Sequence, residues 1–513
     1  MIPAMNALAA LSGPLPTAGI VALAAVVAVV VLAGDRRTRA LATLAALFLA
    51  PALLLADIWH SQQLGPIHRH PLFAAAGGAF ALIVLAAAAA GIARRPWVVG
   101  PLVILALPFR IPIQTGGVTS NLLVPLYFVV AAGSLAFVAG ELRPGGPRAE
   151  HADTVARAGP AKWLERLLVI YIAVYAVQAI YSVDFEKALQ QMVFFYVPFA
   201  LAYRLLRDIE WSRRLLRRCL MLVAGLAVLF AVIGFVEYAA KTIIFNPKLA
   251  VQNNTHAYFT VNSVFFDPDI FGRFLALVMV TLAGALVYGS RPRPAIGVTV
   301  VLAVLWAGLV LTLSRSSLGA LLVGLGALAA QRWKVSRAVV VAVAVLALGA
   351  AAVALSPKTF GLNQGLNGAS SGRAGLISGG AQMFEQRPVW GYGSGAFGKE
   401  YKTQHPFLGQ NLSASHTIPI TIAAEQGVVG EVAYVALVVA ALVLLFGRAR
   451  RHPARAAVAA AFLALVFHTM LYADFLEDPL TWTLLGIGVA LAAAPESPEP
   501  RPAEPVEPAV ATA

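Results

Sequence analysis

Apolar runs close to twenty residues long recur along almost the whole chain. A helix needs about 20 consecutive apolar residues to cross a bilayer, with about 17 as a practical minimum. About fifteen such runs stand between Thr17–Ala33 and Pro479–Ala494. Two of them, Trp97–Pro112 and Ser316–Ala330, are short for a crossing, so 12 to 15 spans are expected. The expected fold is therefore all-α, a polytopic integral membrane helical bundle. Composition agrees: 59% of residues are hydrophobic and 12% charged, half the charged share of a soluble chain at about 25%. A soluble globular protein, a coiled coil and a disordered chain are excluded. The first run has no basic residue before it and no clear cleavage site after it, so it reads as a retained span.

The positive charges give the chain a direction. With the N-terminus placed outside and the loops assigned alternately, one set of loops holds 24 of the 38 Lys and Arg. The short loops of the other set hold five: Arg69, Arg110, Lys187, Lys241 and Lys248. Cytoplasmic loops carry the excess of Lys and Arg, so the first set is cytoplasmic. This sidedness explains most of the net charge of +14 without a nucleic-acid partner. The single cysteine, Cys219, excludes intramolecular disulfides and Cys-based metal sites, and reads as a small buried hydrophobe.

Two outer loops are too long to be mere connectors. One runs from Ala239 to Asp267, and the other from Ser356 to Ser415. The second has Gly-rich turns around a helical stretch, Ala374–Gln386, and is expected to be one long structured extracytoplasmic loop. The organisation is then 1–238 N-terminal spans, 239–267 outer loop, 268–355 core spans and 356–416 long outer loop. The remainder is 417–494 C-terminal spans and 495–513, a Pro- and Glu-rich cytoplasmic tail expected to be disordered.

Chemistry-bearing residues gather on the outer side. Arg315 lies between two apolar runs, where a charge is expensive unless it meets water or a partner. The simpler reading is an interfacial arginine reaching the headgroups. Arg373 opens the helical stretch of the long loop after Ser370, Ser371 and Gly372, a place suited to anions. An isolated reading makes it a solvated loop arginine. The loop also carries Arg387, Lys358, Lys399 and Lys402 against Glu385 and Glu400, so it is net positive. His416 stands where the loop re-enters the membrane; a lone histidine is usually structural, but a neutral imidazole there suits a general base. Glu425 and Glu431 follow within an apolar run. Asp267 and Asp269 give a weak metal signal, and Asp474, Glu477 and Asp478 form a second acidic group. No phosphate-binding G-x-x-x-x-G-K-[ST] loop and no dinucleotide fingerprint is present.

Three pieces, in order, carry a resemblance. They are Thr312-Leu313-Ser314-Arg315; Gly372-Arg373 followed by Met383-Phe384 and Pro388-Val389-Trp390-Gly391-Tyr392-Gly393; and His416-Thr417 followed by Gly427 and Gly430. The segment from about Pro268 to Gly430 resembles the O-antigen ligase and O-antigen polymerase family of bacterial integral-membrane glycosyltransferases. Thr417 departs from the Asn, Ser or Gln that usually follows the family's histidine, and Asp269 stands where Asn is frequent. The lean is slightly to a polymerase over a ligase.

The resemblance implies a glycan donor on undecaprenyl diphosphate, a glycan or lipid acceptor, and transfer on the extracytoplasmic face of the bacterial inner membrane. It implies inversion at the anomeric carbon with neither metal nor cofactor. Membrane lipids and other polysaccharide-assembly proteins are the expected partners, and surface polysaccharide assembly the setting. His416 would be the base, with Arg315 and Arg373 at the diphosphate. Glu425 would orient the imidazole, and Arg273 and Arg387 would assist at the phosphate or glycan. The rival reading is a lipid-linked oligosaccharide transporter, or flippase. That reading predicts repeats and polar residues near mid-membrane; no repeat is evident, and the polar residues gather at one face.

Overall fold

A computed structural model describes residues 14–59, 65–115, 118–143, 159–255, 258–289, 292–333, 336, 373–406 and 414–494. The N-terminal region contributes α1 (Pro14–Leu32), α2 (Arg36–Ile58), α3 (Gly65–Arg69) and α4 (Pro71–Arg94). A 3-10 turn (Pro96–Val98) leads into α5 (Val99–Ala106), then a β1–β2 hairpin (Ile111–Thr115, Val118–Leu122) and α6 (Val124–Leu142). Next come α7 (Gly159–Ala179) and α8 (Phe185–Gln191), which runs through a π segment (Met192–Tyr196) into α9 (Val197–Arg207), and then α10 (Arg213–Ala240). The segment after α10 holds α11 (Pro247–Thr255). After it stand α12 (Pro268–Tyr288), α13 (Pro292–Leu311) and α14 (Arg315–Arg332). The long loop contributes α15 (Arg373–Gln386) and α16 (Phe397–Gln404), and the chain closes with α17 (Ile418–Phe446), α18 (Pro453–Thr469) and α19 (Pro479–Ala493).

The fold is a helical membrane bundle. Among the described residues, eight helices are long and apolar enough to cross a membrane, and four shorter apolar helices stand beside them. The short run Trp97–Pro112 is helical over only part of its length. Only Pro96–Ala106 is helical there, and eleven residues at about 1.5 Å each reach about half the hydrocarbon thickness. Pro108 and Pro112, with the paired strands that follow, end the helix early: Ile111 pairs with Leu122 and Thr115 with Val118. The expected span Ala338–Leu355, the Gly-rich stretch before Arg373 and the C-terminal tail lie outside the described residues.

Two buried cores share α18. Its Ala456, Ala460, Ala461 and Ala464 pack with α10, α12, α13 and α14. Its Val458, Ala459, Phe462 and Val466 pack with the N-terminal helices, α17 and α19. Small side chains let helix backbones approach closely where lipid offers no hydrophobic drive.

The helix α17 is broken at Gly427, whose backbone is left-handed (φ 64°, ψ −163°). Non-helical backbone at membrane depth must find partners within the protein. Here the segment Pro388–Gly393 supplies them. Val428 N–H donates to Pro388 O (2.7 Å), Tyr392 N–H to Ala424 O (3.2 Å) and Gly393 N–H to Glu425 O (2.7 Å). A Cβ at Gly427 would fall 2.3 Å from Val389 O, and one at Gly391 2.3 Å from the Glu425 backbone. The Pro-x-x-Gly-x-Gly sequence is thus a backbone plug, and it fixes the long loop onto the helix that follows His416.

Candidate active site

Five helices begin around one polar cluster. At the start of α12, Asp267 caps the helix, accepting from Asp269 N–H at 2.7 Å. Asp269 then reaches across to α14. Its Oδ1 accepts from Ser314 Oγ (2.5 Å) and Ser316 Oγ (3.2 Å). Ser314 caps α14, whose first residue is Arg315, exposed at the helix start. The turn before it requires left-handed backbone at Leu313 (φ 52°), and Thr312 Oγ1 bonds back to Leu309 O (2.7 Å). Close approach of α12 to this turn depends on Gly272, where a Cβ would fall 2.6 Å from Ser317 Oγ.

Arg373 opens α15 and ties the long loop to this pair. It forms an ion pair with Asp269 Oδ2 (2.8 Å) and donates to Leu471 O (2.8 Å). Its guanidinium carbon lies 5.9 Å from the Tyr472 ring centre. His416 approaches the same ring, centroid to centroid 5.5 Å. Tyr472 also faces His468 (5.7 Å) and Arg273 (5.8 Å), so it is the hub of the cluster.

His416 itself is held in a left-handed conformation (φ 58°) at the apex of a tight turn. Ser415 closes the turn: its Oγ donates to Thr417 O (2.7 Å) and lies 2.9 Å from Thr421 Oγ1. Such backbone costs of order 1–3 kcal/mol and persists only where the surroundings hold it. Burial pushes the His416 imidazole below its ordinary pKa and Arg373 adds to this, while Asp269 and Asp474 pull the other way. The imidazole is therefore neutral at neutral pH. Beside it, burial and the neighbouring Asp269 raise the Asp267 carboxyl to about 6. Burial, with Asp267 next in weight, holds the Tyr472 phenol well above its ordinary value.

The electrostatics of the helix starts divide in two. α12 and α19 begin on carboxylates, Asp267 and Asp478. α14, α15 and α17 have no acidic residue in their first turns; α14 and α15 open on Arg315 and Arg373, and His416 stands in the turn just before Thr417, the cap of α17. A helix N-terminus carries about half a positive charge. A cation placed there opposes the dipole, and an anion placed between such ends is favoured.

Three residues read from the sequence do other work. Glu425 does not reach His416. Its carboxylate, buried in α17, accepts from Gly395 N–H (2.9 Å) and Phe397 N–H (3.0 Å) and holds the turn before α16. Both residues stand before the break at Gly427; nine residues are about two and a half helical turns, which puts Glu425 on the face of α17 opposite His416, and His416 Nδ1 has no hydrogen-bond partner among the described residues. Arg273 is fully buried and pairs with Asp478 (2.8 Å), bridging α12 to the start of α19. Its NH1 also donates to Asp474 O (3.3 Å), so it fastens the 470–478 loop. Arg387 stacks on Tyr392 (4.4 Å) in a separate polar depression with Gln386, Glu400 and Gln404.

The sequence reading missed His468 and Tyr472 altogether. His468 Nε2 lies 3.2 Å from Ser316 Oγ and 3.1 Å from Ser317 Oγ, locking the start of α14 to the end of α18. An imidazole in an otherwise apolar run was the available signal. Asp269, read as a weak metal ligand, spends its oxygens on Arg373 and the serines.

Fold and site together define a multi-pass membrane protein with a polar cluster of helix starts at one face, roofed by a loop plugged into a broken helix. Residues 298–435 match the family model described as O-antigen ligase, which supports the O-antigen ligase/polymerase resemblance over that segment. The matched segment contains Arg315, Arg373 and His416, whereas Asp269, His468 and Tyr472 lie outside it. No curated protein matches the chain.

Proposed function

We propose that the chain is a membrane glycosyltransferase that transfers or polymerises glycan from an undecaprenyl-diphosphate-linked donor, on the extracytoplasmic face of the bacterial inner membrane. One observation carries this reading. Two helices lacking an acidic first turn open on Arg315 and Arg373, and His416 stands in the turn before a third, around a common cluster. This is a site for an anion with a base beside it.

The chemistry follows from those groups. The acceptor hydroxyl oxygen attacks the anomeric carbon as His416 takes its proton. The bond from that carbon to the diphosphate oxygen breaks, and the lipid diphosphate leaves with the electron pair. Arg315 and Arg373 neutralise the charge growing on the leaving group, so no metal is required of the mechanism. Attack opposite the leaving group inverts the anomeric carbon. Asp269 positions Arg373 and the start of α14. In this reading 268–355 and 417–494 are the spans of the core, and 356–416 carries the reacting groups.

A discontinuous helix is also a transporter feature. Here the break in α17 is filled by Pro388–Gly393, which favours a fixed site over a moving one. The test uses purified protein in detergent with undecaprenyl-diphosphate oligosaccharide as donor and EDTA present. Release of lipid diphosphate with a glycan product from wild type, lost in His416→Ala, is expected; a product ladder marks a polymerase and a single addition a ligase. No lipid diphosphate released with any acceptor would refute the transferase, and flipping of the donor in vesicles would then be measured.

A further inference from the structure

The other end of the helices carries a second built site. A cavity of about 900 Å³ opens among α2, α4, α5, α6, α9 and α10. It lies away from His416. Tyr196, before α9, donates to Glu477 beside the first cluster, whereas Tyr203 and Leu206 pack on Gly486, further along α19. The cavity thus sits at the end that the Lys and Arg distribution assigns to the cytoplasm.

Five arginines line it, Arg36, Arg143, Arg204, Arg214 and Arg218, against three carboxylates. Two of those carboxylates are already engaged. Glu141 accepts from Arg36 Nε (2.7 Å), and Asp208 pairs with Arg39 (3.3 Å) and Arg204 (3.2 Å). Two lining groups are buried without a hydrogen-bond partner among the described residues: Arg204 Nε and Ser134 Oγ, in residues 7% and 1% exposed. A buried donor with no acceptor is costly, and a phosphate oxygen would relieve both. α10 begins here with no acidic residue in its first turn. The remaining wall is apolar, with Ile92, Val99 and Phe137. At the mouth Trp97 is 42% exposed, with Arg218 5.4 Å from its ring. Tryptophan at that position marks a membrane–water interface.

We propose that this cavity binds the phosphate headgroup of an anionic phospholipid of the cytoplasmic leaflet. Basic pockets between spans on that side suit such headgroups. The arginines and the two buried donors take the phosphate, and the apolar wall takes the first part of the acyl chains. A free inorganic anion would use the charge but not the apolar wall.

The test uses the full chain in detergent, with lipid retention read by native mass spectrometry and stability by thermal unfolding. The probes are dioleoyl-phosphatidylglycerol, dioleoyl-phosphatidylcholine and inorganic phosphate. Retention of phosphatidylglycerol with a rise in Tm is expected, and neither from the other two. Arg214→Ala/Arg218→Ala should weaken phosphatidylglycerol roughly thirtyfold. The control, Arg213→Ala/Arg217→Ala, removes the same charge from the same exposed helix start but outside the cavity lining, and should change it less than about twofold. Equal losses in both double variants would reduce the effect to diffuse attraction and overturn the site. Equal stabilisation by inorganic phosphate would overturn the lipid assignment. If the first double variant fails to fold, Ser134→Ala tests the same cavity by removing one buried hydroxyl. Unchanged retention in Ser134→Ala would count against the proposal.

Discussion

If His416 is the base, two neighbours on one ion pair should move the pH profile in opposite directions. Burial depresses the imidazole pKa, Arg373 depresses it further, and Asp269 raises it. Only the unprotonated imidazole accepts a proton, so the rate falls as pH drops through the depressed pKa. Arg373→Gln removes a positive neighbour; the pKa rises, and the acid limb moves to higher pH. Asp269→Asn removes a negative neighbour; the pKa falls, and the limb moves to lower pH. The two residues touch at 2.8 Å, so a general loosening of the site would displace both variants alike. The scale of the parent effect is set by base catalysis. His416→Ala should lose about 10²–10⁴-fold in rate, roughly 3 to 5 kcal/mol of barrier. The assay is single-turnover release of lipid diphosphate from pH 4.5 to 8. Both variants need only residual activity for the limb to be read. Limbs that stay fixed, or shift the same way, would show that His416 is not the titrating group.

Further outcomes follow from the same geometry. At φ 58°, glycine fits better than alanine by about 1 kcal/mol, so His416→Gly should be inactive yet unfold at a higher temperature than His416→Ala. Glu425→Ala strips the acceptor from Gly395 and Phe397 N–H, each worth about 1–3 kcal/mol when buried. It should therefore lower thermal stability and protease resistance of the long loop, rather than shift the pH profile. Arg273→Ala leaves Asp478 buried without its cation, and should cost about 3–5 kcal/mol of stability by denaturant unfolding. Gly272→Ala forces Ser317 aside and should cost about 1–3 kcal/mol by the same measurement, with lost activity because α14 shifts against Asp269.

The sequence by itself determined the membrane class, the run of helices and the charged asymmetry of their ends. Each of those depends on residues near one another in the chain. Helix periodicity and span length are local quantities, so Pro268–Tyr288 and Ile418–Phe446 were legible to the residue. The family pieces around Arg315, Arg373 and His416 were legible for the same reason, as short patterns in fixed order. Trp97–Pro112 was already short for a crossing, and its helix is shorter still, because hydropathy counts apolar residues, while prolines and a strand pairing decide where the helix stops.

The tertiary structure alone decided which charges meet. Asp269 and Arg373 stand 104 residues apart, and Arg273 reaches the loop of Asp474 across 201. No spacing rule links such positions. Glu425 lies only nine residues after His416, yet faces another loop, because about two and a half helical turns put it on the opposite face of α17, where the docked loop offers Gly395 and Phe397 N–H. Nor could sequence show that the Pro-x-x-Gly-x-Gly piece is a plug, since its partners are the backbone groups freed by a break in a different helix. Buried charge must be neutralised and buried backbone must be paired, but the chain's topology chooses the partner.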